Sequence, residues 1–408
     1  MNSNPALRSA LPLAFATLLL AFAGCHNKAA KPAPPPSLKL EGADIESAEK
    51  FGRELADLIN AGDAKKLGAL CDFEGLWVMV AQNLDASEKF LAGVKSGFLG
   101  STQKQPGGLF RETVGKDARL LRVRERAGQT VLLLRVRDPQ SAGAAYMDVF
   151  LTRGADGAFR ARDIFSYALG ENVSDVMARV MAQGIAASTQ SPLEKILKGR
   201  SASAGSLMQA MKLAESLRAG KFDEVLTRSD ALPDAVRKER FVQFMRVQAA
   251  MALGDDARYL KVLDEMAAIF PDDPSLGFVL IDRHVLKNDY AKALESLKVL
   301  LADLGEDAFL AALHATCLEK LGRTGEAIDA AAAGLKAEPG DHQLMWLQAS
   351  LLARTKRYAD VVKVLDDLLK LHKEVADPKK AAEAGLTDFF ASPEGKAYVA
   401  RMKKVGQM

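Results

Sequence analysis

Four side chains in the first half of this chain could do proton chemistry: Asp148, Asp163, Tyr146 and Tyr167. An aspartate base with a tyrosine donor is a workable pair. General base work near neutral pH, however, most often uses histidine or a carboxylate with a raised pKa. No histidine occurs between His26 and His284. Strand alternation alone places aspartates on solvated faces, so a structural role is the simpler reading. The same stretch is rich in arginine: between Arg111 and Asp163, ten arginines and Lys116 stand against seven acids. Arg122, Arg124 and Arg126 share one face of a predicted strand, and Arg160 and Arg162 share another. Such a face could bind an anion, either a lipid headgroup or an acidic partner. The other reading is a solvated outer face whose long stems cover apolar sheet. Residues 38–190 hold 20 basic and 20 acidic residues, so the excess is local and the solvated reading is favoured.

Other chemistries find no foothold. His284 and His314 fall in neighbouring predicted helices without a carboxylate or thiolate pair, which makes a poor metal site and suits packed core histidines. No phosphate loop, zinc spacing or nucleophile elbow occurs, and no metal or cofactor is expected. With 55 Lys+Arg against 52 Asp+Glu, the net charge of +3 argues against nucleic acid. Three cysteines in 408 residues exclude a disulfide scaffold. Cys71 and Cys317 sit in apolar helical contexts and read as buried, inert thiols.

The third cysteine has a different setting. Arg8 precedes an apolar run from Leu11 to Phe22, followed by Ala23, Gly24 and Cys25. Residues 1–24 therefore read as a secretory signal, too short to span a membrane. Phe22-Ala23-Gly24-Cys25 resembles the lipobox of bacterial lipoproteins, with Phe22 where leucine is usual. The resemblance implies cleavage before Cys25 and lipidation of its sulfur and α-amine. In a Gram-negative host it implies the outer membrane facing the periplasm, since His26 is not the aspartate that retains such proteins in the inner one. Cleavage after Ala21-Phe22-Ala23 would instead release a soluble periplasmic protein. Residues 25–43 carry Pro32, Pro34, Pro35 and Pro36, a semi-rigid tether.

Residues 44–190 read as one α+β domain. Ile45, Ala48, Phe51, Leu55, Leu58 and Ile59 mark one face of a helix. Asn60-Ala61-Gly62-Asp63 ends it and opens a short helix to Leu70; a third helix is predicted over Asp85–Leu99. The period then drops to two over Arg119–Arg126, Thr130–Arg137, Tyr146–Arg153 and Phe159–Phe165, four strands with short turns. A helix follows through Val173, Val176, Met177, Val180 and Met181. Helices before a curled antiparallel sheet, with Ala61-Gly62-Asp63 and Asp156-Gly157-Ala158-Phe159 in place, resemble the nuclear-transport-factor-like (SnoaL-like) α+β cone superfamily. That superfamily includes ketosteroid isomerases and many non-catalytic domains.

A 191–205 linker leads to a strict repeat over 206–375. Gly220, Gly254, Asn288, Gly322 and Lys356 recur at one constant interval. Val225, Tyr259, Ala293, Ala327 and Val361 keep the same step, as do Ser229, Leu263, Leu297, Ala331 and Leu365. Five helix–turn–helix units of this period resemble tetratricopeptide repeats, which implies an all-α solenoid. Carried onto the family's concave positions, Phe241, Phe244, Met251, Phe278, Val285, Leu286, Phe309 and Trp346 form an apolar stripe. The fifth positions are Ala210, Phe244, Phe278, Ala312 and Trp346, so the carboxylate clamp of chaperone-binding members is absent. The stripe suits an apolar or amphipathic segment of a protein partner, with occlusion by the chain's own C-terminus as the alternative. Residues 376–408 are predicted to form capping helices, the second opened by Ser392 and Pro393. The expectation is a non-enzymatic envelope lipoprotein that binds another protein through the repeat groove as a scaffold or assembly factor. The alternative is a small-ligand-binding or enzymatic cone with the repeats as a docking arm.

Overall fold

The computed structural model describes residues 37–84, 88–102, 107–137, 143–188, 212–271, 273 and 276–407. The signal segment, Cys25, most of the tether and the 191–205 linker lie outside the described residues. An α+β part is followed by an all-α part.

Helix α1 (Ala43–Asn60) buries Ala48, Phe51, Leu55, Ala56 and Ile59, the face its periodicity predicts, while Ile45 stays exposed. Asp63 caps α2 (Ala64–Ala69) by accepting from the Lys66 N–H at 3.1 Å. Helix α3 (Phe73–Gln82) was not expected. Its Leu76-Trp77-Val78-Met79-Val80-Ala81 run has no polar stripe to betray a period, because it is enclosed by neighbours. Leu76, Trp77, Val80 and Ala81 pack with Phe98 of α4 (Glu88–Thr102) and with Ala178 and Ala182 of α5 (Val173–Ser188).

Strands β1 (Asp117–Arg126), β2 (Gln129–Arg137), β3 (Ala144–Arg153) and β4 (Phe159–Ser166) form the expected antiparallel meander, and a two-residue β5 (Glu171–Asn172) joins its end. Ala127 and Gly128 both take positive φ, the pairing a tight hairpin between right-twisted strands requires. Leu132, Leu134, Val136, Met147 and Val149 meet α1 on one face and form the main core. The alternate residues, among them Leu133, Arg135, Tyr146 and Asp148, lie on the other face and are buried too. The entering chain is clipped to this sheet: Leu38 O accepts from the Thr130 N–H at 2.7 Å, and the Leu40 N–H donates to Thr130 Oγ1 at 2.9 Å.

The all-α part holds α6 (212–218), α7 (Phe222–Asp230), α8 (Asp234–Arg237), α9 (Arg240–Ala252) and α10 (Asp256–Ile269). It continues with α11 (Gly277–Leu286), α12 (Tyr290–Leu304), α13 (Ala308–Lys320), α14 (Thr324–Ala337), α15 (His342–Arg354) and α16 (Tyr358–His372). Helices α7, α10, α12, α14 and α16 start at Phe222, Asp256, Tyr290, Thr324 and Tyr358, separated by the same constant step. Just ahead of these starts, Gly220, Gly254, Asn288, Gly322 and Lys356 all have φ between +57° and +75°. There the chain closes the preceding helix with a left-handed residue: the N–H groups of Lys221, Asp289, Arg323 and Arg357 reach back to the carbonyls of Ser216, His284, Leu318 and Leu352. All ten packing positions named from the sequence, Val225 to Val361 and Ser229 to Leu365, are buried. The one polar member, Ser229, accepts from Arg246, whose buried guanidinium also meets Asp230 and Glu265.

Compact units divide between Leu276 and Gly277. The first unit takes in α6–α10 along with the α+β part, and Phe244 of α9 packs against Ala168, Leu169 and Val176. The second has one continuous core from Ala293 to Met402. Its end is closed by α17 (Thr387–Ala391) and α18 (Pro393–Lys404), with Ser392 as cap and Pro393 at the first position, as expected. Phe389, Tyr398 and Met402 are buried in that core. Helix α18 keeps close to the repeat register. Gly395 stands one full repeat step after Val361, at a place where a Cβ would come within 2.0 Å of Phe389 O.

Candidate functional site

The eight residues assigned to an apolar groove do not form an open stripe. Phe244 and Phe278 are 2% exposed and Phe309 is 3% exposed. Phe244 is consumed by the Ala168–Val176 segment of the α+β part, a contact that the helical period of α9 does not encode. Phe241 packs beside Leu213, Val225 and Val242, and Val285 and Trp346 pack on the core of the second unit. Met251 and Leu286 are half-buried. The face assigned to the last two repeats is mixed: Trp346 and Glu319 are half-buried, and Lys320, Gln343 and Arg354 are exposed. Arg354 and Glu319 form an ion pair across it.

The chain's own C-terminal connection touches the same face. Gly385 lies so close to Ser350 that a Cβ there would come within 2.4 Å of Ser350 Oγ. Trp346 Nε1 donates toward Glu374 Oε2 at 3.4 Å and lies 3.2 Å from His342 Nε2. His342 Nε2 and Glu374 Oε2 are in hydrogen-bond contact, the His342 and His372 rings stand 5.0 Å apart, and His372 Nε2 meets Gly340 O at 3.0 Å. Burial acts to raise the Glu374 pKa, but the His342 and Trp346 donors outweigh it and hold the carboxyl below its ordinary value. The sequence reading passed over this group. Its signal was His342 and Trp346 one turn apart, facing a His372-x-Glu374 pair at the end of the partner helix. His284 and His314 stand apart from it, both with pKa lowered chiefly by burial. Among the described residues, no three His, Cys, Asp or Glu side chains converge on a possible metal.

The densest chemistry lies on the second face of the sheet. Strand register sets Asp148 beside Leu133 and Phe165, and Arg124 beside Val131. The Asp148 carboxylate, wholly buried, accepts from Arg124 Nε at 2.9 Å and Nη2 at 2.6 Å. Its Oδ2 also accepts from Arg126 Nη1 at 3.1 Å and from the Tyr167 hydroxyl at 3.3 Å. The Tyr167 oxygen accepts in turn from Arg126 Nη1 at 3.0 Å and from Arg124 Nη2. Arg126 stacks on Phe165 at 3.5 Å from the ring centroid. Four residues read separately in the sequence are thus one cluster, and Arg124 (13% exposed) and Arg126 (26%) are not on a solvated outer face. With four donors on its two oxygens, Asp148 is poorly placed to take a proton from a substrate.

Asp163 has another role. Its Oδ1 accepts the N–H groups of Ile164 (2.8 Å) and Ser174 (3.1 Å), and its Oδ2 accepts the Ser174 hydroxyl at 2.5 Å. It ties β4 to the first turn of α5. Burial nevertheless raises its pKa to about 6, against the lowering effect of those hydrogen bonds. Tyr146 is buried opposite Arg135 on the Asp148 face. Arg160 pairs with Asp156 at 2.8 Å at the surface, whereas Arg162 is buried and donates to Gln129 Oε1 at 2.7 Å. A register shift after Phe150 separates their environments. Among the described residues, no helix is long and apolar enough to cross a membrane. No family model, curated protein or solved structure matches this chain.

Proposed function

We propose that this chain is a lipid-anchored, non-enzymatic protein of the bacterial envelope, in which a tetratricopeptide-type solenoid binds another protein as a scaffold or assembly factor. The observation that carries this reading is the constant step between five helix starts, each preceded by a left-handed turn residue and followed by two buried packing positions. Only a stacked array needs every unit to repeat the same turn and the same contacts. The antiparallel meander with α1 across it supports a nuclear-transport-factor-like first domain. Cys25 and the proline-rich tether support anchoring, with the outer membrane facing the periplasm as the site.

Because Phe244, Phe278 and Phe309 are buried, the partner contact belongs on the mixed face of the last two repeats. Trp346 offers one apolar anchor among Lys320, Gln343 and Arg354, which suits an amphipathic segment. Crosslinked affinity capture from the native host tests this, comparing the wild type with a Trp346→Ala/Arg354→Glu variant shown by circular dichroism to be folded. Loss of one discrete protein from the variant is the expected result. Identical captures from both chains would remove this face from consideration. Palmitate labelling that disappears in Cys25→Ala tests the anchor separately.

A further inference from the structure

The arginine ladder of β1 gathers positive charge on one face of the sheet. Arg122, Arg124 and Arg126 lie on that face, about 7 Å apart from one to the next. The carboxylate in their midst is Asp148, and Arg124 takes both of its oxygens. The remaining acid on this strand segment, Glu125, points to the opposite face, is exposed and pairs with Lys39. Asp148 is thus shared between Arg124, which takes both oxygens, and Arg126, which takes one, and it forms no ion pair with Arg122.

Those flanking arginines are also under-used as donors. Arg126 spends Nη1 on Asp148 and Tyr167, and its Nε and Nη2 donate to nothing among the described residues. Its guanidinium is fixed flat on the Phe165 ring, so those two donors have a set direction. Arg122 is half-buried and forms no ion pair or hydrogen bond among the described residues. For Arg122, a guanidinium held part-way out of water without a counter-charge is costly unless something supplies one; Arg126 has Asp148 as its counter-charge but keeps two donors to spare. A planar fork with a free edge matches a carboxylate or phosphate two bonds at a time.

We propose that this face is a binding site for the oxyanion of a small ligand, carboxylate or phosphate, seated between Arg122 and Arg126. Arg124, Asp148 and Tyr167 form the rigid floor beneath it. Asp148 is the internal counter-charge that keeps the ladder folded when the site is empty, and the bound oxyanion is the second. Phe165, beside Arg126, offers an apolar edge to whatever the oxyanion is attached to. This inference is independent of what the repeats bind.

Calorimetric titration of the full chain in neutral detergent tests it, with sodium phosphate and sodium succinate as separate probes at constant ionic strength. Saturable binding of at least one probe is expected. Arg122→Gln and Arg126→Gln should each weaken it about tenfold or more, and Arg126→Lys, which keeps the charge but loses the fork, should fall between. Arg153→Gln, which removes an ion pair to Asp44 away from this face, should bind as the wild type does. If Arg126→Gln fails to fold, Arg122→Gln carries the test, since Arg122 makes no polar contact to lose among the described residues. No saturable heat with either probe, or wild-type affinity in Arg122→Gln, would overturn the proposal.

Discussion

Asp163 shows how one residue type serves opposite ends in one small domain. Asp148 is surrounded by guanidinium groups, whereas Asp163 meets a hydroxyl and two backbone donors and its pKa is pushed to about 6. An unfolded aspartate titrates near 3.9. Between those values the native state holds the proton more tightly, so this group's contribution falls as pH rises through the window and stays lower above it. The penalty at neutral pH is on the order of 3 kcal/mol. Asp163→Asn, which can still accept from Ile164 and Ser174, should therefore gain stability relative to the wild type at pH 7.5 but not at pH 4. Urea denaturation at the two pH values decides it, and a pH-independent difference would contradict this account. The thiols make a second case. Burial raises Cys71 and Cys317 to about 12, so in a Cys25→Ala chain both should resist a thiol reagent until the protein is denatured.

At the scale of elements, the turns carry the repeat. Four of the units use glycine or asparagine where φ is positive, but Lys356 does the same with a full side chain. Lys356→Gly should stabilise the chain by up to about 1 kcal/mol, whereas Gly322→Val should destabilise it by at least as much. Thermal unfolding of both variants reads the difference. These turns and the ten buried packing positions were legible in the sequence because each is set by contacts inside one helix pair. The strands were legible because their period of two and their turn residues are also local signals. Helix α3 was not, since an element buried on most sides has no polar face. Nor was the fate of Phe244, whose partners Ala168, Leu169 and Val176 lie far back along the chain in another kind of domain. The arginine faces were half legible: alternation put Arg122, Arg124 and Arg126 together, but it could not say that Asp148 and Tyr167, on β3 and just past β4, would meet them.

On the scale of the whole molecule, the closing helices belong to the core of the second unit. Phe389, Tyr398 and Met402 are buried with Val361, Leu365 and Leu368 in one cluster, and each large apolar side chain so covered contributes about 1.5–3 kcal/mol. Ending the chain at Val375 should lower its melting temperature by several degrees or leave it prone to aggregate, which differential scanning fluorimetry with light scattering would show. Gly395→Ala should do a milder version of the same, because it forces α18 away from Phe389 O.

The clip of Leu38 and Leu40 onto Thr130 sets the length of a leash. If Cys25 carries the lipid, only thirteen Cα steps separate the bilayer surface from the first residue held by the sheet, a reach of at most about 45 Å. Thr130 is the second residue of β2, just past the β1–β2 turn and close along the chain to Arg126. With such an anchor, the tether would join the folded part at the arginine end of the sheet. A ligand released at the membrane would meet that face before it had diffused away.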